Sequence, residues 1–409
     1  MRPRLLHGLG LIAPAAFALG ALGLGAFGLG APASAQTVVK VGVILTYSGP
    51  EASLGETIDR GIKLWMKEHE KDLPSSIKVE LIRRDDTGPN PEVAKRLAQE
   101  LVVRDKVNLL TGVVWSPNAA AIAPITAEAK LPFIIMNAAG AAIVRISPYV
   151  ARVSFTLWQS SYPLGKWAAT HNLKRVYTAV SDFIPGHDGE AAFVKGFKEN
   201  GGTIVDSVRF PLASPDLAPY FQRVKDAKPD ALYVFVPGGP QSTNVVKTFK
   251  QLALGDAGIK LIGPQDITIE NELPNMGDAA LGVLTTGDYS SDADRPANKI
   301  FVAAWHKEYG AASYPDFLSV GGWDGMAAIF DVIKQQNGKI DPDKTMALLK
   351  GWKTDDSPRG SLMIDPDTRD VVQNEYMREV KKVGDHTANV EFENLGLFKD
   401  PWKEFNPPK

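Results

Sequence analysis

VVKVGVILTYSGPEASLGETIDRGIKLWMKEH, residues 38–69, passes from a β-branched run through a Gly/Pro loop into a helical pattern. Residues 38–45 read as a strand, SGPEASLG as a loop, and the remainder as an amphipathic helix to about His69 with Ile58, Ile62, Trp65 and Met66 on one face. Outward from this unit the alternation continues for about 250 residues, the pattern of an α/β fold with parallel sheets. Strands are expected at 77–82, 107–111 and 133–136, with helices at 91–104 and 117–130, which completes one doubly wound half. The pattern restarts after Val153 with helices near 158–171, 189–200, 216–227 and 241–252 and strands at 175–181, 203–209, 231–236 and 259–263. Two similar Rossmann-like lobes imply a cleft between them. The tail departs from the repeat, with helices near 296–309 and 317–336 and hairpin-like segments at 361–364 and 371–383, expected to close edges of both lobes.

The 409 residues, 44% hydrophobic and 22% charged, suffice for one large domain or two ordinary ones. A formal charge of −2 argues against a sequence-independent nucleic-acid binder. The absence of cysteine excludes disulfides, thiol nucleophiles, Cys-ligated zinc, iron–sulfur clusters and a lipid anchor on an N-terminal cysteine. Residues 1–35 carry Arg2 and Arg4, no acidic residue, a Leu/Ala/Gly-rich run and the end Ala33-Ser34-Ala35, the signature of a secretory signal cleaved near Ala35. Its removal takes the formal charge from −2 to −4 and leaves a chain beginning near Gln36, soluble and outside the cytoplasm. No later segment approaches about 18 uninterrupted apolar residues.

Open parallel sheets bind ligands outside the carboxyl ends of their strands. After the third strand comes Gly112-Val113-Val114-Trp115-Ser116-Pro117-Asn118, where Ser116 reads as an N-cap and Pro117 as the first helical residue. Free backbone N–H groups there favour a carboxylate. Asn137-Ala138-Ala139-Gly140-Ala141 offers small residues for close backbone approach. Ordinary strand-to-helix turn chemistry explains both loops equally well. The second lobe's corresponding loops are Ser181-Asp182-Phe183-Ile184-Pro185-Gly186-His187, Pro237-Gly238-Gly239-Pro240 and Gly263-Pro264-Gln265-Asp266. His187 is the histidine placed near a cleft, with a solvated surface group as its plainer reading. Trp115 is either an aromatic wall or a core residue under its helix.

The sequence contains no G-x-S-x-G, H-E-x-x-H or Walker A run. The segment 365–370, DPDTRD, lacks the central glycine and terminal glutamate of a calcium loop and reads as a turn between strands. Asp85-Asp86, beside Arg83 and Arg84, reads as a local ion-paired loop.

With TYSGP at 46–50, Gly55, GIKL at 61–64, Asp85-Asp86 with Pro91, LPFI at 131–134, GHDGEAAF at 186–193 and GGWDGM at 321–326, the chain resembles the leucine/isoleucine/valine-binding type of periplasmic substrate-binding proteins that serve ABC transporters. The resemblance covers essentially the whole mature chain. It implies a type I periplasmic-binding fold with three crossings between lobes, near 153–156, 285–290 and 355–365. The first lobe would comprise 36–155 plus 288–360 and the second 156–287 plus 361–409. It implies that the loops at Trp115-Ser116 and Ala138-Ala139-Gly140 hold a ligand carboxylate, Gly140 through backbone alone. The second lobe departs from the amino-acid binders: Pro185-Gly186-His187 replaces a tyrosine, Gln265 stands where a glutamate holds the ligand's ammonium, and Leu54 replaces an aromatic of the first loop. A neutral amide supplies no charge-assisted bond to an ammonium, although a one-residue shift would bring Asp266 into that role.

The expected function is therefore a non-enzymatic receptor that captures a small organic carboxylate, aromatic acids included, and delivers it to permease subunits. It needs no cofactor or metal and works as a monomer. The alternatives are a branched-chain or other amino-acid receptor and a ligand-sensing domain. Candidate contacts are Tyr47, Leu54, Trp115, Ser116, Asn137, Ala138, Ala139, Gly140, Pro185, His187, Gly238, Gln265 and Asp266.

Overall fold

The strand β1 (Thr37–Leu45) lies inside a parallel sheet, paired with β2 (Ile77–Asp85) on one side and β3 (Leu109–Gly112) on the other. Helices cover both faces of such a strand, so its sequence is a nearly continuous apolar run: Val39, Val41, Val43 and Leu45 are fully buried. Adding β4 (Phe133–Ile135) and β5 (Val150–Arg152) gives the order β2-β1-β3-β4-β5. The helices α1 (Ala52–His69), α2 (Pro91–Val103) and α3 (Ser116–Ala129) make the crossovers. In the computed structural model residues 36–213 and 216–407 are described, and Gln36–Lys409 forms one compact unit. The secretory signal expected at 1–35 lies outside the described residues.

The second sheet begins after α4 (Leu157–Thr170) with β6 (Arg175–Ser181), α5 (Ile184–Glu199), β7 (Thr203–Phe210), α6 (Ala218–Ala227), β8 (Ala231–Phe235), α7 (Pro240–Gln251), β9 (Lys260–Pro264), α8 (Leu273–Met276) and β10 (Leu284–Gly287). The tail supplies α9 (Pro296–Tyr309), α10 (Phe317–Gln335), α11 (Pro342–Leu349), β11 (Lys353–Thr354), β12 (Leu362–Ile364), β13 (Val371–Val383), β14 (His386–Phe398) and α12 (Pro401–Phe405). The order is β11-β12-β13-β10-β9-β8-β6-β7, with β14 on β13. The tail closes an edge of each sheet: at β5 the Arg369 carbonyl accepts from the Arg152 N–H (2.9 Å) and Arg369 Nε donates to the Val150 carbonyl (2.9 Å), and at β10 the tail adds strands. Its strands extend the second sheet alone, with β13 antiparallel to β10, while α9 and α10 pack against α1 beside the first sheet.

The α1–α10 contact explains two glycine motifs. A Cβ on Gly61 would stand 2.0 Å from the Ser319 carbonyl oxygen, and one on Gly322 would stand 2.3 Å from that of Ile58. The helices cross backbone to backbone, which side chains at these positions would prevent. On the same face of α1, Ile58 and Ile62 are fully buried whereas Trp65 and Met66 are half-buried.

The chain passes between the sheets after β5, after β10 and between α11 and β13. Arg359 joins all three passages. Its guanidinium donates to the carbonyl of Ser154 (2.9 Å), to Asp288 (2.7 Å), to Asp324 (2.9 Å) and to Gln373 (2.7 Å), and also reaches the Val153 carbonyl. The third passage is paired backbone, β11 on β12 and β12 on β13, and residues 365–370 form the turn between the latter two. The ion-paired loop expected at Asp85-Asp86 is not present: Arg83 pairs with Asp59 and Arg84 with Asp105. Asp86 is fully buried and bound by neutral donors, Thr46 (2.7 Å), Asn118 (2.8 Å) and the Gly88 N–H (3.3 Å).

Candidate binding cleft

The ends of β3 and β4 face the ends of β6, β8 and β9 across a narrow cleft. Its walls are largely aromatic: Trp115, Phe155, Phe183, Phe235 and Phe317. Phe183 stacks on Phe235 with centroids 5.9 Å apart and planes 24° apart, while Phe155 meets Phe317 edge-on at 5.4 Å and 87°. Leu54, at the start of α1, reaches toward Gly238 and Gly239 of the opposite lobe. Hydrogen bonds also join the lobes, among them those from Gln241 Nε2 to Glu51 Oε1 (3.1 Å) and from the Ala141 N–H to Asp188 Oδ2 (2.9 Å).

The turn after β3 contains consecutive positive φ values, Gly112 at 95° and the β-branched Val113 at 65°. A valine held there is strained. The turn sends the chain back so that α3 begins at the cleft. Trp115 occupies the N-cap position and Ser116 is the first helical residue, so the helix starts one residue earlier than expected. No side chain caps this helix end, so its first N–H groups remain available to an anion. Ser116 Oγ accepts a hydrogen bond from the Gly140 N–H (2.9 Å), which leaves the hydroxyl proton free to donate.

Trp115 is 2% exposed yet lines the cleft. Its Nε1 donates to Thr46 Oγ1 (2.9 Å), and Thr46 donates in turn to Asp86. Burial raises the Asp86 pKa, against the lowering effect of the Thr46 and Asn118 hydrogen bonds. This chain fixes the indole plane.

Of the candidate contacts, Leu54, Trp115, Ser116, Asn137, Ala139, Pro185, Gly238 and Asp266 surround the one cleft. Asn137 donates from Nδ2 to the Val114 carbonyl (2.9 Å), while its Oδ1 is buried without a partner. Five positions do not line it. The Tyr47 phenol is turned toward Asp59 and Arg83, and burial together with the Asp59 charge raises its pKa. The Ala138 N–H is bonded to the Val113 carbonyl (3.1 Å) and its methyl is in the core. Gly140 cannot serve as a backbone anchor because its N–H is committed to Ser116 and its carbonyl to Arg152 (2.7 Å).

His187 is not a loop residue at the cleft. Pro185 fits the first turn of a helix, so α5 starts at Ile184 rather than near 189. That turn carries His187 outward to pair with Asp182 at 2.7 Å, its side chain 43% exposed. Gln265 points away as well: its Oε1 accepts from the Asp288 N–H (3.2 Å) at the second crossing. Asp266 faces the cleft instead, 7% exposed, with Oδ2 unpartnered. Burial raises its pKa to about 7.

Phe155, Phe183, Phe235 and Phe317 line the cleft without being among the candidate contacts. Phe183 and Phe235 lie at the carboxyl ends of correctly placed strands, which was the available signal. Phe155 and Phe317 come from a crossing and from the start of a tail helix, which no strand-end rule covers. Together the groups form an apolar slot walled by aromatic rings, with a hydroxyl donor and an open helix N-terminus on the first lobe and a lone carboxylate on the second. Such a slot suits a planar apolar body with a carboxylate at one end and a hydrogen-bond donor at the other.

The family model described as periplasmic binding protein matches residues 38–385. The chain is 41% identical over 372 residues to the Leu/Ile/Val-binding protein homolog 6 of Brucella melitensis, covering 91% of this chain and 95% of that one. Among solved structures, an ABC-transporter solute-binding protein from Rhodopseudomonas palustris BisB5 in complex with 3,4-dihydroxybenzoic acid is 47% identical, with a TM-score of 0.86 over 90% of this chain and 100% of that one. One from Rhodopseudomonas palustris HaA2 in complex with p-hydroxybenzoic acid is 42% identical, with a TM-score of 0.84 over 89% of this chain and 97% of that one.

Proposed function

The chain belongs to the periplasmic binding protein family, and on that footing we propose that it is the receptor of an ABC importer that captures a hydroxylated aromatic carboxylate between its lobes. The observation that carries this reading is the aromatic slot with Ser116 on one side and Asp266 on the other. The ligand's carboxylate takes the Ser116 hydroxyl and the N-terminus of α3, its ring lies among Phe155, Phe183, Phe235 and Phe317, and its hydroxyl donates to Asp266. The two similar solved proteins bound to hydroxybenzoic acids support the choice.

On this reading the chain is exported through residues 1–35, cleaved near Ala35, and works in the periplasm as a monomer that docks on permease subunits. The lobes are 36–155 with 288–360, and 156–287 with 361–409, hinged at the passages that Arg359 joins. The receptor is not an enzyme: the Ser116 hydroxyl oxygen is paired with a backbone N–H and His187 with Asp182 on the exterior, so no base serves a nucleophile there.

One observation favours a second reading. The residue in the cleft is Asp266, a carboxylate able to hold an ammonium, and not the neutral Gln265, so an amino acid is the competing ligand. Calorimetric titration of residues 36–409 with 4-hydroxybenzoate, benzoate and leucine separates the two. Micromolar binding of 4-hydroxybenzoate, roughly −8 kcal/mol, with benzoate weaker and leucine silent, is the expected result. Binding of leucine alone would overturn the aromatic-acid reading.

A further inference from the structure

A second cavity, sharing no lining residue with the cleft, opens on the first lobe between α1, α9, α10 and the third passage. It encloses about 1260 Å³, part of it open to solvent. Five aromatic side chains wall it: Trp65, Phe301, Trp323, Phe330 and Trp352. They are fixed against one another and by polar contacts. Trp65 meets Trp323 edge-on at 4.8 Å, Phe301 meets Trp323 at 5.0 Å, and Trp352 Nε1 donates to Asp331 Oδ2 (2.8 Å).

Asp324 lies at the inner side of this cavity, 1% exposed. Its Oδ2 accepts from Ser357 Oγ and Arg359 Nε, both at 2.9 Å, while its Oδ1 has no partner. The Trp65 indole N–H is also buried and unpartnered. Arg359 is shared by Asp324 and Asp288, so one guanidinium faces two carboxylates and the group keeps a formal negative charge. Asp72, Asp331 and Asp356 add acid around the cavity against Lys334, while His69 is engaged with Asp72 at 2.8 Å.

Ring faces attract cations, most strongly where water is excluded. A buried carboxylate oxygen without a partner is costly until a donor reaches it. We propose that this cavity is a second binding site, for a small organic ammonium ion on an apolar body: the aromatic side chains surround the cation, and Asp324 Oδ1 accepts a hydrogen bond from its N–H. The main cleft pairs the Asp266 carboxylate with donors for an acid, whereas this cavity shares no lining residue with it, so binding at the two sites is separable.

Benzylammonium is the probe and benzyl alcohol its neutral counterpart, each titrated into residues 36–409 while the indole N–H resonances are followed by NMR. The expected result is saturable movement of the Trp65 and Trp352 resonances by benzylammonium, with benzyl alcohol about tenfold weaker. Ile300 lines the cavity and is 72% exposed, so Ile300→Lys adds a positive charge without entering the core and should weaken benzylammonium about tenfold. Asp324→Asn should do the same. Because that change also loosens Arg359, Ile300→Lys decides the matter if the Asp324 variant does not fold. No saturable movement, equal binding of benzyl alcohol, unchanged affinity in Ile300→Lys, or movement confined to Trp115 in the cleft would each overturn the proposal.

Discussion

Ser116 has one proton to give, and with the Gly140 N–H on its oxygen that proton has no acceptor among the described residues. Ser116→Ala should weaken 4-hydroxybenzoate by about 1–3 kcal/mol, the cost of leaving a charged acceptor short of a partner. Titration calorimetry reads it, and unchanged affinity would remove Ser116 from the contact set. At the other end, Asp266→Asn should reduce the preference for 4-hydroxybenzoate over benzoate about tenfold, because a charged acceptor becomes a neutral amide. Gln265→Glu belongs to a different class. Its side chain meets the Asp288 backbone, so a new carboxylate there should lower the unfolding midpoint through crowding with Asp288 and leave ligand preference unchanged. In the sequence, residue 265 is the position that speaks against an ammonium. Adjacent residues point in different directions where a strand gives way to a short helical turn, and only the path of that turn places 266 in the cleft.

Helices and strands were mostly legible because their signals are local. Residues 175–181 were read as a strand and are one, β6, with the same bounds. The start of α5 was misplaced because Pro-Gly looks like a loop. Here the proline sits in a first helical turn, and the glycine is required because a Cβ would stand 1.9 Å from the Ser181 carbonyl oxygen. β5 and β10, of three and four residues, carry too few side chains for a period to show, and their pairing comes from neighbours distant in sequence. The α1–α10 crossing gives a test at this scale. Gly322→Ala puts a methyl against the Ile58 carbonyl and should destabilise the protein by about 1–3 kcal/mol through overpacking. Urea unfolding measures it, and a neutral result would mean that the helices separate freely.

Across the whole molecule the charges gather where the lobes meet. Burial raises the pKa of Asp266 and Glu270 to about 7 and that of Asp316 to about 6. A carboxyl whose pKa is higher in the folded chain stabilises it most below the unfolded value near 4 and loses that contribution as pH rises through the folded value. The urea midpoint should therefore fall between pH 5 and pH 8, and Asp266→Asn should flatten the fall; a midpoint rising over that window would contradict the assignment. Arg359→Met leaves Asp288 and Asp324 without their shared cation, so a loss of about 3–5 kcal/mol is expected, read by the same denaturation. Saturation with 4-hydroxybenzoate at about 100 times its dissociation constant should add roughly 2.7 kcal/mol.

The α/β class, the two lobes, the order of most elements and the strand ends that face the cleft follow from hydrophobic period and turn residues, which act over a few positions along the chain. Which side chain at each strand end enters the cleft does not. Gln265 or Asp266, and a free or committed Gly140 N–H, are choices made by contacts between separate segments, such as Gln265 with Asp288 and Gly140 with Ser116. The aromatic slot is likewise a product of assembly: its rings arrive from strand ends, from a crossing and from the start of a tail helix, and become neighbours once the lobes meet.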